Sequence, residues 1–131
     1  MSTMTENTLA LAKRFFDAIE KGDIDTVRAI YAPDAVIWHN TDGVAQSRED
    51  NLKTLEGLAR FLVERRYVQR RVGAFAGGFV HQHVLEGVRR DGARVALEAC
   101  IVCQVKDGRI TRLDEYFDSA AVAKFVGQTP S

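Results

Sequence analysis

Apolar side chains in the first part of the chain recur at helical spacing. From Thr8 to Lys21 they fall at Leu9, Leu11, Ala12, Phe15, Phe16 and Ile19, a stripe that predicts an amphipathic helix ending at Gly22. Asp23 then supplies a capping oxygen for a second helix with Ile24, Val27, Ile30 and Tyr31 on its buried side, stopped before Pro33. A short apolar run, Ala35 to Asn40, reads as a strand closed by Thr41-Asp42-Gly43. Ser47 with Asp50 resembles a capping box. It opens a third helix whose buried side is Leu52, Leu55, Leu58, Ala59 and Leu62.

Beyond Arg66 the period changes to two. Tyr67 to Phe75, Phe79 to Arg89, Arg94 to Val105 and Ile110 to Phe117 are predicted strands, joined at Gly77-Gly78, Asp91-Gly92 and Asp107-Gly108, all with the chemistry of hairpin turns. A last helix is predicted from about Ser119 to Val126. Three helices followed by an antiparallel meander define an α+β fold, with helices on one face of a curved sheet and a conical pocket between the layers. No repeat or linker interrupts it. One domain over residues 1–131 is expected, with an ordered core of about 6–127 and loose ends.

The last strand carries acids on both faces. Leu113, Glu115 and Phe117 share one face, and Asp114, Tyr116 and Asp118 the other. Glu115 therefore sits between two apolar neighbours, where a carboxyl's charged form is disfavoured and a general acid or base becomes usable near neutral pH. A half-exposed edge strand with solvated acids is the competing reading.

Composition narrows the partners. In 131 residues, 46% hydrophobic, Lys plus Arg and Asp plus Glu number 18 each, so no positive field exists to hold nucleic acid or an anionic membrane. The pairs Arg65-Arg66 and Arg70-Arg71 read as a polar border to a strand. No long apolar run predicts a membrane span, and the acidic, non-apolar start is not that of a signal peptide, so a cytoplasmic protein is expected. Cys100 and Cys103 lie on one strand, where three steps separate them by roughly 10 Å on opposite faces, beyond a disulfide's reach.

Phe15 to Asp23, then Tyr31-Ala-Pro-Asp-Ala-Val36, then Gly108 to Asp118 resemble the nuclear transport factor 2-like superfamily, which includes SnoaL-like polyketide cyclases, ketosteroid isomerase and limonene epoxide hydrolase. The resemblance covers nearly the whole chain. It implies a cone-shaped α+β barrel, commonly dimeric through the outer sheet face, with Glu98, Cys100, Val102, Asp114 and Tyr116 as interface candidates and Glu98 beside Arg112. The oxyanion-hole donors of ketosteroid isomerase are replaced here by Phe15 and Ile101. Against limonene epoxide hydrolase, Glu115 takes the place of a pocket aspartate and Trp38-His39-Asn40 that of its Tyr-x-Asn, while its Arg-x-Asp has no counterpart near His81-Gln82-His83.

The residues that remain form a polar set of their own. His83, with His81 as second candidate, is expected to pair with Glu115 as general base, since a carboxylate fixes an imidazole's tautomer and stabilises its charged form. Trp38 and either His39 or Asn40 close the open end, and Phe15, Leu97, Ala99, Ile101, Leu113 and Phe117 form apolar wall. A small, largely apolar organic ligand is expected, handled by acid-base chemistry of cyclase, isomerase or hydrolase type; the alternative is a binding module without chemistry. No cofactor and no metal are expected, although His81, His83 and Glu115 together would make a two-histidine, one-carboxylate set.

Overall fold

The computed structural model describes residues 3–127, so the loose end expected at 128–131 lies outside the described residues. Among these residues the chain runs α1 (Thr3–Lys21), α2 (Ile24–Ile30), β1 (Tyr31–His39), β2 (Ala45–Ser47), α3 (Arg48–Phe61), β3 (Leu62–Phe75), β4 (Gly78–Arg89), β5 (Arg94–Lys106), β6 (Arg109–Tyr116) and α4 (Ser119–Phe125). This is the expected α+β fold, with helices on one face of a curved, mostly antiparallel sheet. Among the described residues no helix is long and apolar enough to cross a membrane.

Local chemistry sets most of the boundaries. The Asp23 carboxylate accepts from the Thr26 N–H and caps α2, and the Ser47 hydroxyl accepts from the Asp50 N–H and caps α3. Between β5 and β6, Asp107 and Gly108 both have positive φ, 52° and 75°, the backbone of a type I′ hairpin turn.

Four features differ from the sequence pattern. α1 begins at Thr3 and not Thr8, so residues 3–5, expected to be loose, are helical. Tyr31 begins β1 instead of ending α2, and the strand passes through Pro33 because the pairing with β6 is interrupted between Tyr31 and Val36, where the missing N–H breaks no ladder bond. The short strand β2, too short for an alternation signal, pairs with the end of β1. β3 follows α3 directly, starting at Leu62 and not Tyr67.

The sheet order is β2-β1-β6-β5-β4-β3. All neighbours are antiparallel except β1 and β6, which run parallel. That contact brings the first long strand beside the last and puts His39 opposite Glu115. Across the rest of the sheet the same row continues through Ile101 on β5 to His81 on β4.

The main core lies between the inner sheet face and helices α1 to α3, built on Phe15, Phe16, Tyr31, Ile37, Phe79 and Ile110, all nearly inaccessible. A second cluster, Leu62, Leu85, Leu97 and Phe125, joins α4 to the other end of the sheet. The two meet around Tyr67, and the space left between them is the cavity. On the outer face Arg112 pairs with Asp114, its neighbour on the same face of β6, and not with Glu98. Cys100 and Cys103 are unlinked, Cys103 in the core and Cys100 partly exposed.

Candidate functional site

A cavity of about 350 Å³ opens between the helices and the inner sheet face. Most of its wall is apolar, from Phe15, Phe16 and Ile19 of α1, Leu55 and Leu58 of α3, Leu85, Leu97, Ile101 and Leu113 of the sheet, and Phe117, Val122 and Phe125 near α4. Polar groups gather on the β1 side, where Tyr31, His39, Gln46 and Asn51 stand with Glu115.

Glu115 points inward, as the alternation of β6 requires, but its partner is His39. His39 Nε2 lies 3.0 Å from Glu115 Oε1, with side chains 18% and 15% exposed. The expected partners, His83 and His81, stand two strands away, and Ile101 fills the row between Glu115 and His81. At a strand spacing of about 4.8 Å, neither imidazole reaches the carboxylate. They bond each other instead, Nδ1 to Nδ1 at 2.9 Å, so one ring donates and the other accepts. Phe16 stacks on His81 at 3.8 Å between ring centres. The two-histidine, one-carboxylate metal set is therefore not assembled, and among the described residues no group of three or more ligating side chains converges.

The two histidine environments have opposite charge preferences. Burial lowers the proton affinity of His39, but the hydrogen bond and charge of Glu115 outweigh it, leaving the pKa above the ordinary 6.5. Burial brings His81 down to about 4 and His83 to about 3, with Arg70 pushing in the same direction. Both are neutral at any ordinary pH.

Other candidates divide between wall and support. Phe15, Leu97, Ile101, Leu113, Phe117, His39 and His83 line the cavity. Ala99 is buried on the same sheet face without reaching the cavity wall. Trp38 does not line it either. It alternates with His39, so it points to the outer face, where it packs edge-on against Tyr116. Asn40 does not contact the cavity; its amide accepts from the Phe117 N–H and donates to the Phe117 carbonyl, while its own N–H donates to the Glu115 carbonyl.

A polar chain on the cavity wall was not legible in the sequence. The Tyr31 hydroxyl donates to Asn51 Oδ1 at 2.8 Å, Asn51 Nδ2 to Gln46 Oε1, and Gln46 Nε2 to Thr54 Oγ1. Asn51 carried the one available signal, as a polar residue one turn ahead of Leu55 on the apolar side of α3. Tyr67 also faces the cavity, and among the described residues its hydroxyl has no hydrogen-bond partner.

The model of the SnoaL-like domain matches residues 12–113, and the chain belongs to this family. No curated protein matches the sequence. Among solved structures the chain is similar to a candidate polyketide cyclase from Xanthomonas campestris, with TM-score 0.84 and 20% identity over 94% of this chain and 98% of that one. It is similar to an epoxide hydrolase of the limonene type from M. tuberculosis, with TM-score 0.76 and 24% identity over 94% and 91%. A third similar structure, from Catenulispora acidiphila, has the ketosteroid isomerase-like fold and is in complex with trimethylamine; its TM-score is 0.79 and its identity 12% over 91% and 93%. At these identities the structures establish a shared fold.

Proposed function

We propose that the cavity binds a small, largely apolar organic molecule and that His39, oriented by Glu115, moves a proton on it, in a reaction of cyclase, isomerase or hydrolase type. The observation that carries this reading is the 3.0 Å contact between His39 Nε2 and Glu115 Oε1 at the polar end of an apolar cavity. When Nε2–H donates to the carboxylate, Nδ1 keeps the free lone pair and is the basic atom. Taking a proton there makes an imidazolium that Glu115 stabilises, which is the task of the second group in an acid-base pair. His39 thus takes the role expected for His83, and Glu115 keeps its own.

Similar structures described as an epoxide hydrolase and a candidate polyketide cyclase accord with this reading, and a neighbour of the same fold is in complex with trimethylamine, a small organic molecule. The rival reading, binding without chemistry, makes the same demands on the wall but none on the dyad. Glu115→Gln and His39→Gln separate the two. Acid-base function requires that both variants remain folded and still bind the ligand's apolar body while turnover at saturating ligand falls by about a hundredfold or more. Unchanged turnover in either variant would sink the catalytic reading.

We also propose that two copies associate through the outer sheet face. Trp38, Val80, Val84, Cys100 and Val102 lie there only partly covered, and Tyr116 is 46% exposed, an apolar surface larger than single exposed side chains account for. Two unlinked thiols suit the cytoplasmic setting we assign to the protein.

A further inference from the structure

The charge of the cavity wall narrows the ligand's chemistry. Its titratable side chains are the carboxyl groups of Asp42 and Glu115, the imidazoles of His39 and His83 and the phenols of Tyr31 and Tyr67; no lysine or arginine is among the lining residues. Arg65 and Arg70 of β3 are held elsewhere. Arg70 pairs with Asp17 and Glu20, and Arg65 donates to main-chain carbonyls of Glu20, Ala59 and Leu62. The lining itself therefore offers negative charge with imidazole as its one possible cation, while Arg65 and Arg70, tied up behind it, are felt at Tyr67.

Glu115 gives one oxygen to His39, and among the described residues its other oxygen has no hydrogen-bond partner. Its charge is felt across the cavity: after burial, it is the largest influence raising the proton affinity of Tyr67 on β3 and of Cys103 on β5. The rings of Phe15, Phe16, Tyr67 and Phe117 supply aromatic surface in the same cavity.

We propose that the ligand carries a protonated amine on its apolar body, with the ammonium docked at the free oxygen of Glu115. This rests on the reading of the cavity as a ligand site. An ammonium taken out of water is costly unless it meets a counter-charge, which Glu115 provides, and aromatic rings add further attraction. A carboxylate ligand would bring like charge toward Asp42 and Glu115 with no arginine or lysine to receive it.

The amine and the His39 proton then compete for one carboxylate. The charged or titratable groups around the dyad are Glu115 on β6, Asp42 in the turn after β1, His83 on β4, Tyr31 on β1 and Tyr67 on β3; α1, α3 and α4 contribute none to the wall. By linkage, a cation bound at Glu115 weakens His39's hold on its proton by the same factor that the proton weakens the cation. Binding would thereby leave His39 in its neutral, basic form.

Three probes of one shape test this by solution NMR: cyclohexylmethylamine, cyclohexylmethanol and cyclohexanecarboxylate. At about pH 8 the amine should bind about tenfold tighter than the alcohol, and the advantage should shrink toward about pH 5.5 as His39 takes its proton. The His39 ring signals should titrate about one unit lower with the amine bound. Glu115→Gln should erase the preference for the amine and spare binding of the alcohol. If the alcohol or the carboxylate binds as tightly as the amine at about pH 8, or the preference survives Glu115→Gln, the amine assignment is overturned and the cavity reading stands. Failure of all three probes to bind overturns both.

Discussion

Asn40 holds Phe117 by both of its backbone groups, accepting from the N–H at 2.9 Å and donating to the carbonyl at 3.0 Å. The side chain thus continues the β1–β6 pairing one step beyond the strands, with the Phe117 ring nearly parallel to the His39 imidazole. Asn40→Ala should cost about 0.5–1.5 kcal/mol, the net worth of a hydrogen bond at a site that water can reach. Asn40→Asp, which cannot donate to the carbonyl, should lose part of that. Denaturant unfolding measures both, and an alanine variant as stable as the parent would show that the clamp is replaced by water.

Acid should act through the His81–His83 pair. Both rings have folded pKa values near 4 and 3, below the ordinary 6.5, so the unfolded chain binds more protons between these limits. Stability from this pair is complete above about pH 6.5 and declines as pH falls toward 3. The double variant His81→Leu/His83→Leu removes both partners of the buried hydrogen bond together and should flatten the decline between about pH 6 and 4. Urea midpoints across that range decide it; an unchanged slope would assign acid sensitivity to the carboxylates.

His39 works in the opposite sense. Its folded pKa is raised, so its pairing with Glu115 adds stability below about pH 6.5 that fades as pH climbs through the folded value. His39→Gln should remove that contribution, narrowing the difference in urea midpoint between about pH 6 and 8. Equal midpoint differences in parent and variant would mean that the pair contributes no net stability.

Glutamate introduced at Val102 or Trp38 should turn the proposed dimer into a monomer, because both side chains lie on the outer sheet face without touching the cavity. Sedimentation at micromolar concentration reads the change. A parent chain that already sediments as a monomer rules out the association.

The two thiols should differ in reach. Cys100 is partly exposed, whereas Cys103 is inaccessible and burial, followed by the Glu115 charge, pushes its thiol well up. A thiol reagent should label at most one cysteine in the native protein, Cys100 to the extent that the outer face is uncovered, and two after unfolding. Two equivalents taken up at once under native conditions would put Cys103 outside the core.

Much of this architecture is carried by short-range chemistry. The caps at Asp23 and Ser47, the Asp107-Gly108 turn and the inward face of Glu115 follow from side chains acting on their own neighbourhood, and all are present. Contacts between distant segments are harder to read. Strand alternation places Glu115 and His83 on the inner face without saying which strand lies beside β6, and the parallel β1 brings His39 there instead. The same alternation separates His39 from Trp38 once the strand's register is known, and β1 ends where a one-residue shift would exchange His39 with Asn40. Tyr31, Gln46 and Asn51 come from three different elements, and no local pattern announces that their amides and hydroxyl form one chain.

The parallel contact between β1 and β6 also orders events during synthesis. His39 is made before Glu115, so a growing chain carries half of the dyad while β2 to β5 emerge and acquires the other half only with β6. A chain cut short before β6 would carry only α1 to α3 and β1 to β5 and have no acid-base pair at all. Any ligand held between the two residues binds only chains that already include β6, so that resistance to proteolysis gained with ligand would report on those chains alone.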